Sequence, residues 1–142
     1  MKELQITGTP SVCVAACIIR DARLLIGLRH YTPDKWKKVS MWTTPGGRCE
    51  TGETVESTLR RETAEEVGIT DLKVVTFLGI VPGAMPGDTL YVFVCETEQE
   101  PRLMEPEKFS EWKWEEIGKI PANFINPAAL KLVAEFIDKL RP

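Results

Sequence analysis

The sequence predicts an α/β protein in which a mixed β-sheet lies between helices, and three observations carry the prediction. Apolar runs of strand length fill residues 11–29 and recur near the middle of the chain. Two segments with helical spacing, one opening at Thr54 and one at Asn126, are separated by the later runs. Two such helices on one face would leave the other face of the sheet bare, so they are expected on opposite sides.

Taken in order, Ser11 to Ile19 reads as a largely buried strand, and Leu24 to Arg29 as its hairpin partner across a turn at Asp21-Ala22-Arg23. The polar stretch His30 to Lys38, with Pro33 and Trp36, is expected to be an exposed loop beside a binding surface. Trp42 to Thr44 is extended and leads into a glycine-rich loop at Gly46-Gly47. Thr54 is placed to cap a helix ending near Val67, where Gly68 can take the left-handed conformation that closes it. Lys73 to Val81 and Leu90 to Glu96 are strands joined by a loop with Pro82 and Pro86. Glu111-Trp112-Lys113-Trp114 alternates, which puts both tryptophans on one face. Asn126-Pro127 opens a last helix whose apolar residues Ala129, Leu130, Val133, Phe136, Ile137 and Leu140 follow three-and-four spacing.

The 142 residues suit one domain spanning 1–142, with no room for a second core of ordinary size. Eighteen basic against 21 acidic residues give a formal charge of −3, which argues against a general nucleic-acid-binding surface. No apolar run is long enough for a membrane span or a secretory signal, so a cytoplasmic location without membrane association is the expectation. Cys13, Cys17, Cys49 and Cys95 lack the spacing of a zinc site, and His30 is the single histidine, so reduced structural thiols are expected.

The strongest signal is Gly47-Arg-Cys-Glu-Thr-Gly-Glu53 followed after seven residues by Arg61-Glu-Thr-Ala-Glu-Glu-Val-Gly-Ile69. Glu62, Glu65 and Glu66 stand three and four residues apart, so they crowd one side of the helix. Each like-charged pair costs a few tenths of a kcal/mol on an isolated helix. A cation relieves that repulsion, and clustered carboxylate oxygens suit magnesium or manganese, which bridge to phosphates. Val55, Leu59, Thr63 and Val67 form the opposite side and would face the sheet. Gly46 and Gly47 let backbone approach a metal or phosphate closely.

This spacing resembles the signature of the Nudix hydrolases, G-x5-E-x7-R-E-U-x-E-E-x-G-U with U a bulky aliphatic. Thr63 stands where that family carries Ile, Leu or Val; it keeps the shape of Val and adds a hydroxyl, a change expected to touch helix stability and not chemistry. The resemblance implies the Nudix α/β/α sandwich and metal-dependent hydrolysis of a nucleoside diphosphate linked to a further group, with Mg2+ as cofactor and Mn2+ as its alternative. It implies that Glu62, Glu65 and Glu66 bind metal, that the Gly46 carbonyl adds a ligand, that Glu53 lies at or just behind the metal, and that Arg61 holds these carboxylates. Glu107 is the first choice, and Glu105 the second, for a further carboxylate that joins the metal or acts as base. Glu65, Glu66, Glu107 and Arg61 are thus the expected catalytic group.

The Pro121-Ala122-Asn123 segment resembles one in the MutT-type members, which implies that Asn123 reads the base edge. Arg29, at a strand end, is expected to hold a phosphate, and Trp36, Phe124 and Phe109 are candidates to stack on a base. The preferred substrate is a (deoxy)nucleoside triphosphate, cleaved to a monophosphate and pyrophosphate. ADP-ribose or a nucleotide sugar is the second reading, from the position of Pro86, and a non-catalytic nucleotide-binding module is the third. The expected partner is therefore a small nucleotide and not a nucleic-acid polymer, with the protein a monomer or homodimer.

Overall fold

The computed structural model describes residues 1–30 and 40–140, so Trp36 lies outside the described residues. Strands β1 (Val12–Arg20) and β2 (Arg23–Arg29) form the expected hairpin. Its two central residues, Asp21 (φ 52°) and Ala22 (φ 60°), are both left-handed, which matches the twist of the flanking strands but strains an alanine. Strand β3 (Met41–Thr43) pairs with β2. The expected glycine loop is instead a short strand, β4 (Gly46–Arg48), paired antiparallel to β1 with Ala15 opposite Gly46. The close fit explains the difference: a Cβ on Gly46 would collide with the Val14 carbonyl oxygen, so the glycine serves strand pairing here.

Helix α1 (Val55–Val67) has the expected ends: Ser57 N–H donates to Thr54 Oγ1 (3.1 Å), and Gly68 closes the helix at φ 70°. Strands β5 (Lys73–Pro82) and β6 (Thr89–Glu96) follow, then β7 (Phe109–Glu116), longer at both ends than its alternating core, and helix α2 (Pro127–Leu140). Asn126 caps α2 by accepting from Ala129 N–H (3.0 Å). The strand order is β3-β2-β1-β6-β5, with β4 also on β1 and β7 on β2. β1 and β6 run parallel and the other pairs antiparallel, so the sheet is mixed, as expected.

Period-two alternation along β1 divides the core in two. Val14, Ala16 and Ile18 pack with Val55, Leu59 and Val67 of α1, and both Trp112 and Trp114 lean on this cluster. Ala15 and Cys17 point the other way, toward Ala129, Val133 and Ile137 of α2. Each helix therefore covers one face of the sheet. Thr63 is fully buried, and its hydroxyl donates to the Leu59 carbonyl at 2.7 Å. This bond satisfies the one polar atom that an aliphatic residue would not bring. Among the described residues no helix is long and apolar enough to cross a membrane.

Candidate functional site

The glutamate side of α1 meets β4 edge-on. Glu66 is 5% exposed, and its Oε1 accepts from Gly46 N–H at 2.8 Å. Burial pushes its carboxyl up to about 8, against that hydrogen bond and with the charges of Glu62 and Glu105 adding to the rise. Burial also raises Glu62, whose carboxylate lies directly over Gly47: a Cβ there would stand 2.5 Å from the carboxyl carbon. Both glycines of the motif are thus required by close approach, one to β1 and one to Glu62.

Arg61 holds the cluster together. It grips Glu53 with two bonds, Nε to Oε2 (2.8 Å) and Nη2 to Oε1 (3.0 Å), and its Nη1 lies 2.9 Å from Glu62 Oε1 and 3.4 Å from Glu65 Oε2. The guanidinium bonds hold the Glu53 carboxyl down at about 2. Glu53 also accepts from Glu50 N–H at 3.0 Å, so its oxygens face Arg61 and the loop before α1. Glu65 is half exposed and is the carboxylate with room to change rotamer.

The donors suit a hard divalent cation. Glu66 is a nearly enclosed carboxyl with one neutral partner, and Glu62 is a partly buried carboxyl whose cationic neighbour already serves Glu53. Among the described residues no three side chains are already gathered at one coordination point. Arg61 Nη1 stands between Glu62 and Glu65, so loading requires a rearrangement of Glu65 and Arg61, with Glu66 the fixed member.

A cavity of about 890 Å3 opens from Glu62 and Glu66 across the sheet toward α2. Its far wall is apolar, formed by Leu24, Leu90, Phe124, Leu130 and Val133 beside the Cys17 thiol. Arg29 lines the polar end, with its guanidinium 5.5 Å from the Phe109 ring centroid, and Phe109 and Phe124 both reach the cavity from buried positions. Of the two carboxylates beyond α1, Glu105 is the one whose charge reaches Glu66; it is partly buried and paired with Lys108, whereas Glu107 is exposed. Asn123 is not on the cavity wall. Its carboxamide donates to the Ser40 carbonyl (3.2 Å), and its own carbonyl accepts from Trp42 N–H (3.0 Å), tying this segment to β3. Sequence reasoning missed Arg48 and Asp88, which bond to each other at 2.5 Å on the cavity rim. No spacing joins residues 40 apart, and Asp88 sits in what reads as an ordinary turn.

The NUDIX domain family matches residues 9–136, and the chain belongs to this family of hydrolases. It is 32% identical over 139 residues to the NAD-capped RNA hydrolase NudC of Mannheimia succiniciproducens, an alignment covering 92% of this chain and 51% of that protein. The chain spans about half the length of the curated relatives it matches. Among solved structures, the MutT NUDIX hydrolase from Burkholderia pseudomallei is 27% identical at a TM-score of 0.66, covering 89% of this chain and 97% of that one. An ADP-ribose pyrophosphatase from Streptococcus suis shares the fold at a TM-score of 0.71 and 18% identity, covering 94% of each chain.

Proposed function

We propose that the protein hydrolyses a phosphoric anhydride bond of a nucleoside diphosphate linked to a further group, with Mg2+, or Mn2+ in its place, held by Glu62, Glu65 and Glu66. The observation that carries this reading is the enclosed Glu66 carboxyl beside Glu62 at the polar end of the one large cavity among the described residues. When bound, the divalent ion neutralises phosphate charge and acidifies a water. The protein supplies the rest. Gly46 N–H fixes Glu66, Arg61 fixes Glu53 and Glu62, and Arg29, at the same polar end of the cavity and near enough for its charge to act on Glu66, would hold a phosphate. Water oxygen bonds to phosphorus, the bridging P–O bond breaks, and the water's proton passes to a carboxylate. Glu105, whose charge acts on Glu66, is our choice for that proton transfer, with Glu107 second.

A (deoxy)nucleoside triphosphate is the substrate class we favour, because the cavity has one apolar end and so suits one base. Phe124 and Phe109 would contact that base, with Asn123 acting through its tie to Ser40. A dinucleotide is the second reading, supported by the relatives named as NAD-capped RNA hydrolases. A reducing cytoplasmic setting suits the four free cysteines. Hydrolysis of nucleoside triphosphates, NAD and ADP-ribose at equal concentration with Mg2+ tests the assignment. Triphosphates should be preferred and should give monophosphate plus pyrophosphate; orthophosphate as the product would place the attack on the wrong phosphorus.

A further inference from the structure

The chain between β6 and β7 has no packing to hold it. From Thr97 to Lys108 every side chain is partly or fully exposed, with Leu103 and Met104 each 45% exposed, and the next buried residue is Phe109 at the start of β7. This strap nevertheless carries Glu105 and Glu107, and its course brings Glu105 near enough for its charge to act on Glu66. A connection of this length without helix or strand keeps one path only if polar ties fix it.

The ties are unequal. Near the tip, Arg102 N–H donates to the Val67 carbonyl at the end of α1 (2.9 Å), and the N–H groups of Lys108 and Phe109 both donate to the Glu105 carbonyl (2.9 and 3.0 Å). At the base, Asp71 accepts from the Thr97 hydroxyl and from Glu98 N–H (3.0 Å). Arg20, the last residue of β1, does more. Its Nη2 donates to the Thr97 and Gln99 carbonyls, at 2.8 Å each, and its Nη1 to Glu100 Oε1 at 2.5 Å. The same guanidinium lies 4.6 Å from the ring centroid of Trp114 on β7, whose Nε1–H is buried with no polar partner among the described residues. One side chain thus grips both the limb that leaves β6 and the strand that the other limb enters. Arg20 is not on the cavity wall, so substrate contact does not account for this placement.

We propose that Arg20 is a positioning residue for the reaction: by pinning the strap at its base, it sets where the strap's carboxylate stands against Glu66. The inference rests on the reading of Glu105, or Glu107 after it, as the proton acceptor, while the mooring itself stands on geometry. A planar guanidinium fork fixes the direction of the limb as well as its distance, which an ammonium on a flexible stem does not.

Hydrogen exchange and kinetics on the whole protein test the mooring and its consequence separately. Arg20→Met keeps an apolar stem against Trp114 and removes the donors. In this variant the amides of Arg102 and Lys108 should exchange about tenfold faster relative to those in the middle of β6, which control for any loss of global stability. kcat should fall about tenfold with KM within twofold, since a carboxylate displaced by about 1 Å loses proton transfer and leaves substrate binding intact. Arg20→Lys should recover part of both. A double-mutant cycle separates positioning from a general structural effect: in Glu105→Gln protein, Arg20→Met should lower kcat less than twofold further, because the group it positions is already gone. Where Glu107→Gln is instead the variant that lowers kcat, that background should absorb the effect. Unchanged exchange or unchanged kcat in Arg20→Met, or an equal loss of kcat in the wild-type and both glutamine backgrounds, overturns the positioning role. If wild type hydrolyses no nucleotide while exchange in the strap still rises, the functional reading fails and the positioning role with it, and only the mooring stands.

Discussion

The two faces of the sheet are built by different means. On the α1 side, the side chains that face the chemistry come from one helix and the strand it touches, at fixed spacing. On the α2 side, the cavity wall is gathered from β1, β2, β6, the segment around Phe124 and α2 itself. The first arrangement is stiff and costly: it buries Glu66 with a single hydrogen bond and stacks three acids on one helix. The second is apolar and permissive, with room to vary. On the proposed function, the costly face would carry the chemistry and the permissive one the substrate choice.

The sharpest way to break this contrast is Glu66→Gln. Activity should fall more than 100-fold, since one charge and one fixed oxygen leave the metal cluster. Stability should move the other way. Glu66 has its folded pKa raised from 4.5 to about 8, so the stability it contributes is complete below pH 4.5 and is lost as pH rises through 8. Metal-free Glu66→Gln should therefore exceed wild type by on the order of 2–4 kcal/mol at pH 8, with the advantage vanishing near pH 4.5. Denaturant unfolding at the two pH values measures it. With saturating metal, wild-type activity should climb between pH 6 and 9, because the carboxylates must be ionised; a flat profile counts against a water-activating base.

A smaller but still large effect is expected at Gly47. Alanine there puts a methyl 2.5 Å from the Glu62 carboxyl carbon, so Gly47→Ala should reduce kcat by tenfold or more and weaken metal binding, measured by metal titration of turnover. The permissive face should answer differently. Asn123→Ala removes one exposed bond to Ser40 and should change KM by less than about threefold, with metal dependence unaltered. A tenfold change in base preference would return Asn123 to the role of base reader. The smallest effect belongs to neither face: Ala22→Gly relieves a left-handed alanine in the β1–β2 turn and should stabilise the protein by about 1 kcal/mol, read as a rise in Tm with unchanged kinetics.

The same contrast decides what the sequence made legible. Helix α1 was readable to its ends because Thr54, Gly68 and the four-residue apolar spacing act within a few residues of each other. The glutamate cluster followed from that helix, since i to i+3 and i to i+4 spacing implies proximity. Strand β4 was not readable as a strand, because Gly46 and Gly47 have poor strand propensity and are selected there by contact with Val14 and Glu62. Glu105 and Glu107 sit on one loop two residues apart, and only the path of the chain turns the first toward Glu66. Asn123 had the right chemistry to read a base, yet tertiary pairing gave its carboxamide to Ser40. The Arg48–Asp88 pair joins strand β4 to the loop between β5 and β6 across 40 residues, and no local pattern marks it.

The claim that the glutamate face of α1 holds a divalent cation is tested most directly by proton-coupled binding of Mn2+. Calorimetry at pH 7, repeated in buffers of different ionisation enthalpy, counts the protons released per ion. Glu66 is mostly protonated at that pH in the metal-free protein, so wild type should release close to one proton per ion bound, and Glu66→Gln should bind more weakly with almost none released. Mn2+ binding of equal strength in both proteins, with no proton release from wild type, would contradict the assignment of this face as the metal site.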